Sequence, residues 1–238
     1  MAVTKQITRS DERMRTETDW LNSRHSFPFG GHHDPERMGF VPLRVVNQDI
    51  VAPGRGFPAH PHRDMEIISI VLEGELEHRD SLGNGSVIQT GDIQYMSAGS
   101  GVVHSEFNPS GEVPVHFLQI WIEPRETGLK PRYADQPIIG AVENEWKLIL
   151  SADGRGGSIE IRQDTELRTV QLAPGRSIDH APDSMERGLW LFVIEGEVIA
   201  GDDYFTLGDS LAMTGEEKMT VANAGTTPAR VLLFELPV

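Results

Sequence analysis

Glycine and proline divide this chain into short apolar segments along most of its length. The 238 residues include 24 glycines and 15 prolines, and these separate runs rich in Val, Ile, Leu, Phe and Tyr. Runs of this kind, bounded by turn residues, are typical of β-strands. Between two of them, the segment SLGNGS holds Gly83, Asn84 and Gly85, which accept positive φ at little cost and predict a hairpin. We therefore expect an all-β protein.

The two halves of the chain share landmarks in the same order. Three pairs match: Pro53-Gly54 with Pro174-Gly175, Glu73-Gly74-Glu75 with Glu195-Gly196-Glu197, and Gly91-Asp92 with Gly208-Asp209. This order predicts a duplicated β unit. The stretch between the halves carries no strong period of either kind and is interpreted as a connector. The predicted organisation is an N-terminal domain at 1–124, a connector at 125–145 and a C-terminal domain at 146–238.

Composition excludes several classes of protein. Lys and Arg number 21 against 36 Asp and Glu, a formal net charge of -15 with no basic patch, so direct nucleic-acid binding is not expected. No apolar run approaches the roughly 20 residues that span a bilayer, and the charged N-terminal segment is unlike a signal peptide, so we expect a cytoplasmic protein with no membrane contact. The absence of cysteine leaves His, Asp and Glu as the candidate metal ligands.

Two short motifs predict a metal site. In His60-Pro61-His62, histidines two residues apart on an extended segment project to the same side. His104-Ser105-Glu106 repeats this geometry 42 residues after His62. If the two segments lie side by side, they supply three imidazoles and one carboxylate to a common point. Such a set suits iron(II), manganese, nickel, copper or zinc.

The remaining histidines show no comparable pairing, and we interpret them as surface, loop or core residues: His25, His32, His33, His78, His116 and His180. In the second half, counting 13 residues from Gly208 reaches Val221 where the first half has His104, and Asn223 then corresponds to Glu106. The second half is therefore expected to lack metal ligands, and His180 is expected to be structural or exposed.

The motifs resemble those of the cupin superfamily. The resemblance is carried by Gly54-x5-His60-x-His62-x3-Glu66, and by Gly91-x4-Met96-x-Ala98 with Gly101-x2-His104-x3-Asn108. The longer segments FPAHPHRDMEIISIVLEGELEHRDSLGNG and GDIQYMSAGSGVVHSEFNP resemble the pirin family, in particular bacterial pirin-like quercetinases, and the resemblance spans nearly the whole chain. It implies a bicupin, in which two antiparallel β-barrel (jelly-roll) domains pack together, the N-terminal one binding metal and the C-terminal one degenerate.

Glu66 departs from the general cupin pattern. In many cupins four residues separate the second histidine from a glutamate ligand, whereas only three residues separate His62 from Glu66. A one-residue slip in a strand turns a side chain to the opposite face. We therefore expect Glu66 to point away from the metal and Glu106 to take its place, as the resemblance to pirins also implies.

The resemblance implies a metal-dependent dioxygenase that cleaves a flavonol such as quercetin with dioxygen. One divalent ion per chain is expected on His60, His62, His104 and Glu106, with iron(II) first among the candidate metals. Glu106 would act as the general base for the acidic 3-hydroxyl of the flavonol. The entrance is expected near four aromatic residues, for which core packing is the alternative: Phe27, Phe29, Phe40 and Phe57.

Two other functions stay open from the sequence. Pirins of other lineages resemble redox-sensing or regulatory proteins, so this chain could use its metal to bind a protein partner without physiological turnover. A cupin acting on another small molecule by isomerisation or hydrolysis is the third reading, because one fold hosts many chemistries. A monomer is expected, since two fused barrels can cover each other's faces.

Overall fold

The computed structural model describes residues 4–35, 37–138, 143–215 and 218–237. Within them the chain forms strands joined by turns, and its helical elements are single 3-10 turns at Ser10–Glu12 and Arg155–Gly157. No helix of this described part has the length and apolar character needed to cross a membrane. The prediction of an essentially all-β protein is confirmed.

The strands of the described residues follow one another in this order: β1 (Thr4–Thr8), β2 (Met14–Glu17), β3 (Leu21–His25), β4 (Leu43–Val51), β5 (Gly56–His62), β6 (Glu66–Glu73), β7 (Glu75–Asp80), β8 (Gly85–Gln89), β9 (Asp92–Ser97), β10 (Val102–Phe107), β11 (Val115–Ile122), β12 (Arg132–Pro137), β13 (Lys147–Ser151), β14 (Ile159–Glu160), β15 (Glu166–Leu172), β16 (Ser177–His180), β17 (Arg187–Glu195), β18 (Glu197–Ala200), β19 (Asp203–Thr206), β20 (Ser210–Thr214), β21 (Met219–Asn223) and β22 (Ala229–Pro237).

The chain divides into two compact units. The N-terminal unit spans residues 14–139 and contains a seven-stranded sheet, β12-β9-β6-β11-β4-β3-β2, and a four-stranded sheet, β5-β10-β7-β8. The C-terminal unit combines residues 1–13 with 140–238 and contains a seven-stranded sheet, β1-β20-β17-β22-β15-β13-β14, and a four-stranded sheet, β16-β21-β18-β19. All pairings are antiparallel except that of β13 with β14. The repeated strand order bears out a duplicated β unit.

The observed units differ from the predicted boundaries at two places. Residues 1–13, which we expected in the first domain, belong to the C-terminal unit because β1 pairs with β20, where Thr8 lies opposite Ser210. The predicted connector 125–145 contains β12, which pairs with β9, while its residues 139–142 lie outside the described residues. Both strands are short and largely polar, so their sequences carry little periodic signal.

The core of the N-terminal unit lies between its two sheets. Val71 and Phe117 come from the seven-stranded sheet, and Leu76 and Ile88 come from the four-stranded sheet, and all four are at most 1% exposed and in one cluster. Burial of these side chains stabilises the unit by roughly 1.5–3 kcal/mol for each large residue. The four-stranded sheet is thereby held with the inner face of β5, β10 and β7 toward β6 and β11.

Strand β5 contains Pro58 and Pro61, so its composition differs from the apolar runs that predict strands. It lies at the edge of its sheet, where proline is tolerated since one side of the strand makes no ladder hydrogen bonds. A register shift interrupts its pairing with β10: His104 lies opposite His60, but Glu106 lies opposite Phe57. The extra residue of this bulge belongs to β5.

Gly56 allows β5 to lie against β10 at this bulge. A Cβ atom at this position would come within 2.2 Å of the Glu106 carbonyl oxygen and 2.5 Å of the Phe107 Cα. Both contacts are with backbone, which cannot move aside as a flexible side chain would.

We expect Gly56→Ala to lower the free energy of unfolding by about 1–3 kcal/mol, the usual cost of overpacking. Gly85→Ala is the matched control, because Gly85 lies in the same sheet and its added Cβ would have its nearest neighbour at 3.8 Å. Chemical denaturation of both variants measures the difference. Equal stability of the two variants would contradict the close approach at Gly56.

Candidate metal centre

Three histidines from two adjacent strands meet on the inner face of the four-stranded sheet. His60 and His62 lie on β5, and His104 lies directly opposite His60 on β10. The Nε2 atoms of His60 and His104 are 3.1 Å apart. One nitrogen from each of the three imidazoles lies within 4.8 Å of the others, a spacing that could hold a metal ion. The structure therefore brings together the three histidines selected from the sequence.

The hydrogen bonds of these rings leave nitrogen lone pairs for a ligand. Nδ1 of His60 lies 2.8 Å from the carbonyl oxygen of Pro58. A carbonyl only accepts, so Nδ1 carries the proton and Nε2 keeps its lone pair. Nε2 of His62 is buried and has no hydrogen-bond partner within the described part of the chain. A buried nitrogen without a partner is costly, and coordination of a metal would satisfy it.

Burial also keeps the imidazoles of His62 and His104 neutral. It lowers the pKa of His62 to about 4, with a further contribution from nearby His60. Burial lowers the pKa of His104 to about 2, and the neighbouring histidines act in the same direction. Both side chains are therefore unprotonated at neutral pH, which is the form that binds metal.

Glu106 extends inward from β10 and is 1% exposed. Its Oε1 accepts a hydrogen bond from Ser69 Oγ at 2.9 Å, and its Oε2 accepts one from Gln119 Nε2 at 2.6 Å. Burial raises its pKa, although the two hydrogen bonds and nearby His78 oppose the shift. Its carboxylate belongs to a second possible ligand group, which it forms with His78 and His104. His104 thus belongs to both groups.

His78 is a site residue that the sequence interpretation missed. It lies on β7 opposite Glu106, is completely buried, and stacks on Tyr133 with ring centroids 4.8 Å apart. Its Nε2 lies 3.3 Å from Oδ2 of Asp80. The available signal was the spacing of His78 and Asp80, which are two residues apart like His60 and His62 and so can face the same side of a strand.

Glu66 lies apart from both ligand groups. It begins β6, is fully buried, and pairs with Ser97 on β9. Its carboxylate accepts hydrogen bonds from Tyr95 and Ser97, the latter at 2.7 Å. This placement agrees with the one-residue register slip.

Aromatic rings approach the histidines from the seven-stranded sheet. Trp121 packs edge-on against His62 with centroids 4.9 Å apart, and Phe29 packs against Trp121 at 5.2 Å. Trp121 was not selected from the sequence. Of the four phenylalanines that were, Phe29 is linked to the site through Trp121, whereas Phe57 packs against Trp20 beside the core. Phe27 is buried, and Phe40 forms an isolated bridge with Leu43.

The C-terminal unit corrects our alignment of the two halves. Nδ2 of Asn108 donates to two backbone carbonyls, and Nδ2 of Asn223 does the same at the equivalent place in the other unit. Asn223 therefore matches Asn108, not Glu106, and Val221 matches Glu106. Asn108 lies 17 positions after Gly91, whereas Asn223 lies 15 positions after Gly208. Counting the same number of residues from the two glycines therefore gave the wrong partners.

Cross-strand pairs identify the rest of the equivalent site. His180 lies opposite Met219 as His60 lies opposite His104, and Ala200 lies opposite Val221 as His78 lies opposite Glu106. His180 is buried and its Nε2 lies 2.8 Å from Glu235 Oε2, which fits the expected structural role. The other equivalents are apolar and belong to the core cluster of that unit: Ala200, Met219 and Val221.

Comparisons with known proteins agree with this geometry. The family model described as Pirin matches residues 7–122, and the one described as quercetinase C-terminal cupin domain matches residues 148–236. A protein of Escherichia coli strain K12 named quercetin 2,3-dioxygenase is 41% identical over 232 residues, covering 97% of this chain and 98% of that protein. A putative quercetin 2,3-dioxygenase of Pseudomonas aeruginosa is 40% identical over 220 residues, covering 91% and 93%.

A solved structure shows the same fold. The bacterial pirin YhhW from Escherichia coli, in complex with nickel(II), superimposes with a TM-score of 0.93 at 40% identity, covering 98% of this chain and 99% of that one. The sequence and the fold lead to the same conclusion: this chain belongs to the pirin family, whose fold is of the cupin type.

Proposed function

We propose that this protein is a metal-dependent dioxygenase that cleaves flavonols such as quercetin with dioxygen. The observation that carries the proposal is the convergence of the ring nitrogens of His60, His62 and His104 in a partly buried site. It is supported by the relatives named quercetin 2,3-dioxygenase, several of which are labelled putative. One divalent transition metal ion per chain is proposed, iron(II) first, with manganese, nickel, copper and zinc as alternatives.

The residues divide the work as follows. His60, His62 and His104 would hold the ion, and Glu106 would complete the set from β10. When bound, the ion supplies Lewis-acid chemistry to the 3-hydroxyl and neighbouring carbonyl of a flavonol. A set of four ligands leaves positions free for substrate in an octahedral ion. The neutral state of His62 and His104 keeps these nitrogens available at neutral pH.

Glu106 is the proposed general base. Burial raises its pKa, which makes its carboxylate a better proton acceptor than an exposed glutamate. Ser69 donates a hydrogen bond to one carboxylate oxygen of Glu106, and Gln119 donates one to the other. Each oxygen keeps a second lone pair that can accept the proton of the substrate hydroxyl.

Trp121 and a neighbouring cavity give a place for a flat substrate. Trp121 lies against His62, so its ring offers an aromatic surface beside the site. A cavity of about 370 Å³ borders His62 and includes Arg63 and Gly101 in its lining. This volume is within the range of small-molecule sites. We propose that the flavonol enters along this side of β5 and β10.

The proposed architecture follows the family resemblance. Each unit is proposed to be a jelly-roll domain, the N-terminal one binding metal and the C-terminal one degenerate, with the boundary between them within 125–145. A monomeric, cytoplasmic protein is proposed on the same basis, with no direct contact to nucleic acid.

Metal content tests the ligand assignment. Protein purified without chelators should contain about one ion per chain, because apolar Met219 and Val221 stand in the C-terminal unit at the positions of His104 and Glu106. The double variant His60→Ala with His104→Ala should lose the ion. His180→Ala is the matched control, since it removes a buried histidine from the other unit and should keep the ion. Elemental analysis measures all three proteins, and a ratio near two would refute the assignment.

Two glutamates distinguish the pirin ligand set from the general cupin set. Glu106→Gln should lower metal content, whereas Glu66→Gln should leave it nearly unchanged because Glu66 bonds to Tyr95 and Ser97 outside both ligand groups. Thermal unfolding of both variants separates loss of metal from loss of fold. Loss of metal only in Glu66→Gln would mean that the general cupin set applies here.

Oxygen uptake tests catalysis. Metal-loaded protein should consume oxygen with quercetin, and chelated protein should not. Glu106→Gln, reloaded with excess ion, should be slower by roughly the 10² to 10⁴ expected for a lost general base. A flavone without the 3-hydroxyl should be inert because it has no such proton to lose. An unchanged rate in Glu106→Gln would remove its role, and no uptake with any flavonol and metal would favour the regulatory function.

A further inference from the structure

His104 can bind a metal through Nε2 only if its proton is on Nδ1. Nε2 of His104 faces Nε2 of His60 at 3.1 Å, so this nitrogen belongs to the metal centre. A neutral imidazole carries one proton, and coordination through Nε2 therefore places it on Nδ1. Because His104 is only 2% exposed, its Nδ1–H needs a hydrogen-bond acceptor inside the protein.

His78 supplies this acceptor. Nδ1 of His104 lies 3.5 Å from Nδ1 of His78. Nε2 of Gln94 lies 3.3 Å from the same Nδ1. Because an amide nitrogen only donates, this ring nitrogen is an acceptor, and the two donors share its one lone pair. The proton of His78 then lies on Nε2, facing Oδ2 of Asp80 at 3.3 Å.

Asp80 is fixed in place as the end of this chain. Its Oδ1 accepts the backbone N–H groups of Leu82 at 2.9 Å and Asn84 at 3.0 Å, and its Oδ2 accepts Asn84 Nδ2 at 2.8 Å. The side chains of His78 and Asp80 are both fully buried. A fixed carboxylate determines which nitrogen of the next imidazole carries the proton.

We propose that His78 and Asp80 form a relay that fixes the tautomer and orientation of His104 for metal binding. Both are positioning residues, because they act through His104. The inference rests on the proposed metal site. It adds His78 and Asp80 to that site as residues that do not themselves bind the metal. Removal of a group that hydrogen-bonds to a metal-binding histidine changes metal affinity by about 10- to 100-fold.

The C-terminal unit provides an internal comparison. Ala200 stands at the position of His78, and Met219 stands at that of His104. Both are part of the apolar core there. The imidazole of the relay is thus missing from the unit that lacks the ligand, while Asp202 follows Ala200 by two residues as Asp80 follows His78. His78 is present in the unit that has His104, and its equivalent is apolar in the unit that lacks a histidine at that position. This pattern is expected if His78 acts through His104.

Asp80→Asn is the variant that tests the relay most directly. Its Oδ1 can still accept the two backbone N–H groups of the turn, whereas an amide nitrogen would replace Oδ2, which faces both Nε2 of His78 and Nδ2 of Asn84. This reverses the tautomer of His78, whose Nδ1–H would then point at His104 and leave the proton of His104 on Nε2, the nitrogen needed for metal. His78→Gln is the conservative variant, because its amide can accept from His104 and donate to Asp80.

The experiment measures zinc(II) affinity by competition with a chromophoric chelator, together with ¹⁵N NMR of the histidines in zinc-loaded protein. The wild type should show His104 protonated on Nδ1. Asp80→Asn and His78→Ala should bind zinc(II) about 10- to 100-fold more weakly. His78→Gln should recover part of this loss, which a purely structural role would not predict. If His78→Ala fails to fold, Asp80→Asn and His78→Gln decide the question.

His180→Ala is the matched control, because it breaks a buried histidine–carboxylate pair with Glu235 in the other unit. It should lower the unfolding temperature without changing zinc(II) affinity. Wild-type zinc(II) affinity in Asp80→Asn would overturn the relay and leave the metal site standing. Protonation of His104 on Nε2 in the zinc-loaded wild type would overturn coordination through that nitrogen, and the relay with it. Absence of zinc(II) binding by the wild type would overturn the metal site and the relay together.

Discussion

The pairing of β5 with β10 is the interaction on which the candidate site depends. It places His104 opposite His60, and the residue spacing within β5 then adds His62 on the same face. The bulge that follows shifts the register before Glu106, and Gly56 allows the two backbones to approach at that point. Pro58 and Pro61 lie beside these histidines, and proline is tolerated in a strand at the edge of a sheet. The edge position of β5 is therefore compatible with its ligand motif.

The two units differ in the polarity of the face that lies between their sheets. Both have the same strand order, yet the inner face that holds imidazoles and a carboxylate in one unit is filled by apolar side chains in the other. Ser69 and Gln119, which bond Glu106, correspond by register to Leu191 and Leu233 in the second core. Because each buried polar group left unpaired costs about 1–3 kcal/mol, the hydrogen bonds that Ser69 and Gln119 donate to Glu106 are needed for the stability of this polar face. This argues for function at that face.

Burial serves the chemistry in two ways. It lowers the pKa values of His62 and His104, so these imidazoles stay neutral and able to coordinate, and it raises the pKa of Glu106, so this carboxylate accepts a proton more readily. Both shifts have the same physical cause, since the charged form of each group loses hydration inside the protein. A single low-dielectric environment therefore prepares the proposed ligands and the proposed base together.

The sequence by itself determined the all-β class, the duplication and the pairs of residues that face one side of a strand, because these depend on local spacing and turn chemistry. His60, His62 and His104 could be selected in this way. Only the tertiary structure decided which strands lie side by side, and so it alone brought His78 and Trp121 to the site. It also matched Met219, not Val221, with His104, because a connection two residues shorter changes the count along the chain without changing the pairing across the sheet.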